Sequence, residues 1–128
     1  MQLSQRIVVV DDEGSVRSGL TNLLQSEGYR TQAFGSAESL LDDEAAMADA
    51  ALFIIDVQLQ GMSGFELFIQ LARRLENPPG IIISGNGDEE MLRRALELGA
   101  IAFLLKPIEI DTLFEHIRQA FSSQAARQ

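Results

Sequence analysis

Five short apolar runs, each followed by a polar turn or a stretch of helical periodicity, constrain this chain more than any other feature. The first, Ile7-Val8-Val9-Val10, is β-branched and unbroken, the pattern of a strand buried on both faces of a parallel sheet. A weaker strand reads at Tyr29–Ala33, and stronger ones at Ala51–Ile55, Ile81–Ile83 and Ile101–Leu105. Between them, helical spacing relates Val16, Leu20, Leu23 and Leu24, then Phe65, Phe68, Leu71 and Ala72. A fourth helix is expected from about Asp88 to Leu98, and a last one buries Ile110, Leu113, Phe114, Ile117 and Phe121. Ser36 suits the N-cap of a short helix, and Gly28 and Gly99 suit helix ends. In Asn77-Pro78-Pro79-Gly80, proline fixes φ and glycine relaxes it, which predicts a turn. The run Asp42-Asp43-Glu44 reads as a solvated helix end or loop. Five β/α repeats predict an open, doubly wound α/β fold with one parallel sheet. Residues 1–121 read as one domain, and 122–128 as a polar tail or linker stub.

Right-handed crossovers bring every strand's carboxyl end to one edge, where such folds bind ligands. Strand one ends in Asp11-Asp12, strand three in Asp56, strand four in Ser84 and strand five in Lys106. Three carboxylates gathered there repel one another unless a cation joins them. Hard oxygen ligands without histidine or cysteine suit Mg²⁺ or Mn²⁺, not zinc. A lysine and a hydroxyl opposite the metal make a receptor for an anion such as a phosphoryl group. Nucleophile, metal and donors for equatorial oxygens are the parts that phosphoryl transfer requires.

Composition removes other classes of function. Cysteine is absent, which excludes disulfides, thiol catalysis and zinc–thiolate sites. The net charge of −9 argues against direct binding of nucleic acid or an anionic membrane surface. No apolar run approaches a membrane span, and the first six residues lack a signal-peptide layout, so a cytoplasmic location is expected. Lys106 is the only lysine among ten basic residues. The single histidine, His116, lies off the apolar stripe of the last helix and reads as a solvated surface residue.

Taken in order, the motifs Val8-Val9-Val10-Asp11-Asp12-Glu13, Asp56 with Gly61-Met62-Ser63-Gly64, Ser84-Gly85-Asn86-Gly87-Asp88, Gly99-Ala100 and Phe103-Leu104-Leu105-Lys106-Pro107 resemble the receiver domain of two-component response regulators. The resemblance covers about residues 5–121. It implies a CheY-like, flavodoxin-like sheet of order 2-1-3-4-5 flanked by five helices. Asp56 would accept a phosphoryl group from a sensor histidine kinase or a histidine phosphotransfer protein. Asp12, Asp56 and the backbone carbonyl of Gln58 would hold Mg²⁺, with Asp11 contacting it directly or through water. Lys106 would pair with the phosphoryl group, Ser84 would move inward to bond it, and Phe103 would turn inward as it does. The Lys106–Pro107 peptide would be cis. Gln58 and Asn86 stand where the family tunes hydrolysis of the acyl phosphate. Gln60 replaces a usual proline, which predicts a less rigid loop after Asp56.

Such a domain is a switch and not an enzyme in the ordinary sense, with limited self-phosphorylation and autodephosphorylation. Ile101, Phe103 and Leu105 alternate along strand five and so are expected on one side. With the helices before and after that strand, they would form a face for a downstream protein, an attached output domain or a second copy. Three rivals fit less well, one of them a flavin-binding flavodoxin-like protein, for which the chain lacks an obvious phosphate loop and has few aromatics to stack a flavin. An aspartate-nucleophile magnesium phosphatase needs an acid where Gln58 stands, and a phosphorylation-independent interaction module has no use for Asp12, Asp56, Ser84 and Lys106 together.

Overall fold

Alternation within each buried strand decides how the layers assemble. The computed structural model describes the backbone of residues 6–126. Residues 1–5, within the stretch read for a signal peptide, and 127–128, the end of the expected tail, lie outside the described residues. The strands are β1 (Arg6–Val10), β2 (Arg30–Phe34), β3 (Ala50–Asp56), β4 (Gly80–Ser84) and β5 (Ala102–Leu105). All pair in parallel, in the order β2-β1-β3-β4-β5. Val8, Val10, Phe53, Ile55 and Ile82 point to one face of the sheet, and Ile7, Val9, Leu52, Ile54, Ile81 and Ile83 to the other.

Six helices cover these faces: α1 (Gly14–Ser26), α2 (Ala37–Leu41), α3 (Glu44–Asp49), α4 (Gly64–Arg74), α5 (Glu89–Glu97) and α6 (Ile110–Ala126). Leu20 and Leu24 of α1 and Leu113, Ile117 and Phe121 of α6 pack on the second face. Residues of α2 to α5, among them Leu40, Met47, Leu67, Phe68 and Ala95, pack on the first. The sequence predicts five helices, and the sixth comes from its acidic run. Asp42 ends α2, the Asp43 carboxylate caps α3 by accepting from the Ala46 N–H at 3.0 Å, and Glu44 occupies the first turn.

Other helix starts follow the expected chemistry. Ser36, Ser63 and Asp88 each accept a backbone N–H three residues on. Three local readings are corrected. In the turn before β4 the positive φ belongs to Asn77, not to Gly80, which begins the strand. The helix α6 runs on to Ala126 instead of stopping near Phe121. His116 is half-buried, and its Nδ1 is buried with no hydrogen-bond partner.

Candidate functional site

The carboxyl ends of β1, β3, β4 and β5 converge as the strand order requires. Asp11 and Asp56, each directly at the end of a fully apolar run, are buried at 0% and 2% exposure. Buried carboxylates need partners, and both have them. Asp11 Oδ1 accepts from the Glu13 N–H at 2.9 Å, and Asp56 Oδ1 accepts from the Gln58 N–H at 3.1 Å. Lys106 reaches in from the end of β5, and its peptide to Pro107 is cis. Its ammonium donates to Asp56 Oδ2 at 3.0 Å and stands 3.1 Å from Asp11 Oδ2. It also meets Glu13 Oε1 at 3.2 Å.

These contacts set the titration of the pair. Burial pushes the Asp56 carboxyl above its ordinary value, and the hydrogen bonds from Lys106 and Gln58 offset only part of that; the neighbouring Asp11 charge adds to the rise. For Lys106, burial acts to lower the ammonium, but pairing with Asp56 and Asp11 outweighs it and the net shift is upward. Lys106 is therefore a fixed cation, and Asp56 is a carboxylate whose charge is held at a cost.

One lysine does not balance the acids around it. Ligand oxygens of Asp11, Asp12 and Asp56 lie within 4.8 Å of one another. Asp11 Oδ2 is buried and relies on the Lys106 ammonium at 3.1 Å, which it shares with Asp56 and Glu13. A buried anionic oxygen left short, beside two further carboxylates, fits a hard divalent cation, and this pocket could bind one.

Around the acids, two loops are tied together by one side chain. The Gln58 carboxamide oxygen accepts from the Ser84 hydroxyl at 3.0 Å and from the Gly85 N–H at 3.2 Å, and its nitrogen donates to Asn86 Oδ1 at 3.3 Å. The Ser84 hydroxyl also bonds the Asn86 carbonyl. Ser84 is thus buried, its hydroxyl turned toward Gln58 and Asn86. Phe103 is half-buried, and its ring lies over the loop after Ser84. A Cβ on Gly87 would stand 2.8 Å from Phe103 Cζ and 3.1 Å from Leu105 Cδ2. Phe103 and Leu105 therefore share a side. Ile101 does not join them, because it precedes β5 and packs with the α1/α6 layer.

Gln60 also departs from expectation. The loop after Asp56 is held, not loosened: the Gln60 N–H, which a proline would lack, donates to Asp12 Oδ2 at 3.1 Å. Farther along, the Met62 N–H donates to Glu38 Oε2 at 3.1 Å. At the loop's end the chain crosses so close to β3 that a Cβ on Gly64 would lie 2.1 Å from the Asp56 carbonyl oxygen. Glu13, Arg17 and Glu38 were given no role from the sequence. Arg17 donates to the Asp11 carbonyl at 2.7 Å. Only Glu13 carried a signal, as the third acid in the run after β1.

A model of the response regulator receiver domain matches residues 7–118. The chain belongs to the response-regulator receiver family. Response regulator protein TmoT of Ectopseudomonas mendocina is 40% identical over 114 residues, 89% of this receiver domain and 51% of TmoT. Transcriptional regulatory protein FixJ of Bradyrhizobium diazoefficiens is 32% identical over 120 residues, 94% of this chain and 58% of FixJ. The receiver domain thus spans about half the length of these curated relatives. Among solved structures, a CheY-like receiver domain protein from Methanospirillum hungatei superposes with a TM-score of 0.88 at 25% identity, covering 98% of this chain and all of the other. Among the described residues, no helix is long and apolar enough to cross a membrane.

Proposed function

We propose that this receiver domain is a phosphorylation-driven switch in two-component signalling, with Asp56 as the phosphoacceptor. An Asp56 carboxylate oxygen attacks the phosphorus of a phosphohistidine on a sensor kinase or phosphotransfer protein. The new P–O bond forms as the P–N bond breaks, and the imidazole leaves with the electron pair. Asp11, Asp12, Asp56 and the Gln58 carbonyl would hold Mg²⁺, which when bound offsets phosphoryl charge during the transfer. Lys106 loses its bond to the ionised Asp56 and pairs instead with the transferred phosphoryl group.

Ser84 then gives up its bonds to Gln58 and Asn86 to reach a phosphoryl oxygen, and Phe103 turns inward with the loop. Such a ligand shifts the two states only by the contacts that differ between them, here those of Lys106 and Ser84. Gln58 and Asn86 set how readily the loop leaves its first position, and hence the lifetime of the acyl phosphate. The readout is the face of α5, β5 and α6, with Phe103 and Leu105 at its centre. It serves a second copy, a downstream protein or an output segment in a cytoplasmic regulator; FixJ, longer than this chain, is named a transcriptional regulator.

The observation that carries this reading is the buried Asp56 carboxylate, bonded to Lys106 through one oxygen and to the Gln58 N–H through the other. Incubating the protein with Mg²⁺ and a small-molecule phosphodonor, then measuring intact mass, tests it. One added phosphoryl group is expected, not formed when Mg²⁺ is omitted and absent in Asp56→Asn. No gain under any donor favours a phosphorylation-independent interaction module, and steady release of phosphate favours a phosphatase.

A further inference from the structure

Alternate residues of the loop after Asp56 direct their N–H groups onto carboxylates from different elements. Gln58 donates to Asp56 Oδ1, Gln60 to Asp12 Oδ2 and Met62 to Glu38 Oε2, each at 3.1 Å. The first two acids belong to the acidic pocket. Glu38 does not: it lies in the first turn of α2, whose register is fixed by the Ser36 cap and by burial of Ala37 and Leu40. Gly61 admits this third contact. Its φ of +80° turns the chain toward α2, and a Cβ there would stand 2.9 Å from Glu38 Oε2.

We propose that Glu38 is a positioning residue for the divalent-cation site, an inference that rests on the receiver reading above. Its carboxylate anchors the Met62 N–H and so fixes the loop carrying the Gln58 carbonyl and the Gln60 N–H. A cation drawing on Asp12 and Asp56 competes with the Gln60 and Gln58 amides for those oxygens. Glu38 is the carboxylate of the three that the cation does not share, and it holds the far end of the loop from the ties that the Gln58 side chain makes to the Ser84 loop. With it, the Gln58 carbonyl is in position before the ion arrives; without it, the loop is ordered at the expense of binding.

The test is Mg²⁺ titration of the unphosphorylated full chain, followed by calorimetry, with hydrogen exchange of the Met62 amide as a second readout. Glu38→Ala is expected to weaken Mg²⁺ binding about fivefold, the worth of one intramolecular hydrogen bond, and to speed Met62 exchange. Glu38→Gln keeps an acceptor oxygen and is expected to restore most of both. Glu44→Ala, which removes an exposed acid from α3, is expected to bind Mg²⁺ as the wild type does. Wild-type affinity in Glu38→Ala overturns the inference and leaves the receiver reading intact. Equal weakening in Glu38→Ala, Glu38→Gln and Glu44→Ala overturns it too, because the effect is then one of overall charge. Failure of the wild type to bind Mg²⁺ removes the receiver reading, and the inference with it.

Discussion

Charge on Asp56 is unfavourable in the folded protein before any ligand is considered. Burial raises its carboxyl above the ordinary 3.8, with Lys106 and the Gln58 N–H offsetting only part of the effect. A carboxyl with a raised folded-state pKa binds more protons folded than unfolded. Stability therefore falls as pH rises from the unfolded value through the folded one, and stays lower above it. Asp56→Asn removes the charge and keeps an oxygen for Lys106. It is expected to melt above the metal-free wild type at pH 7, with the gap closing as pH falls to the ordinary carboxylate range. Thermal unfolding in chelator across that range measures this; a gap that does not depend on pH sinks the argument.

At the same scale, what the sequence made legible was set by distance along the chain. Asp11, Asp56, Ser84 and Lys106 were singled out because each is the first polar residue after an apolar run. Glu38 was not, since its partner Met62 lies 24 residues away and nothing local to either predicts the contact. The Glu13–Lys106 contact spans 93 residues and was equally hidden. Gln60 misled for a different reason: replacing proline removes a φ constraint but adds an N–H, and only the position of Asp12 decides which effect wins.

Elements were read well where burial enforces a period and less well where it does not. The strands form where the apolar runs predict them, and their order is the one that the receiver resemblance implies. The helix α3 was missed because Glu44-Ala45-Ala46-Met47-Ala48-Asp49 is short and weakly patterned, and its existence depends on a cap by Asp43. Ile101 was placed with Phe103 by simple alternation, but β5 begins one residue later. The junction of β3 with α4 is the tightest point near the site. Gly64→Ala would drive a methyl against the Asp56 carbonyl, contact with backbone that has no rotamer to escape into. A loss of about 3 kcal/mol or more is expected, among the larger costs of single substitutions. Urea unfolding checks it, and a loss below about 1 kcal/mol would mean that the loop can shift without penalty.

Across the whole molecule, the net charge of −9 separates into a functional part and a surface part. Asp11, Asp12 and Asp56 are gathered in one pocket, where Lys106 meets the first and the last, and most other acids are solvated, where they keep copies of the chain apart. Against that repulsion, α5 and the end of β5 expose large apolar side chains: Leu92 at 40%, Leu96 at 50% and Leu105 at 52%. Leu92 and Leu96 sit one turn apart on α5, and Leu105 closes β5 beside Phe103. Such a grouping suits association more than solubility. In the proposed switch, phosphorylation would move the Ser84 loop against which Phe103 and Leu105 lie, and so would change this region without altering the core. Sedimentation with Mg²⁺ and a beryllium fluoride mimic of the phosphoryl group is expected to show a dimer where the untreated protein is monomeric. Leu96→Glu adds a charge to the patch away from the acidic pocket. It is expected to weaken that dimer by about tenfold or more, as loss of a central apolar contact does. Mimic binding should be unaffected. A monomer at high concentration with the mimic bound removes the dimer version of the switch, and a dimer indifferent to Leu96→Glu places its interface elsewhere.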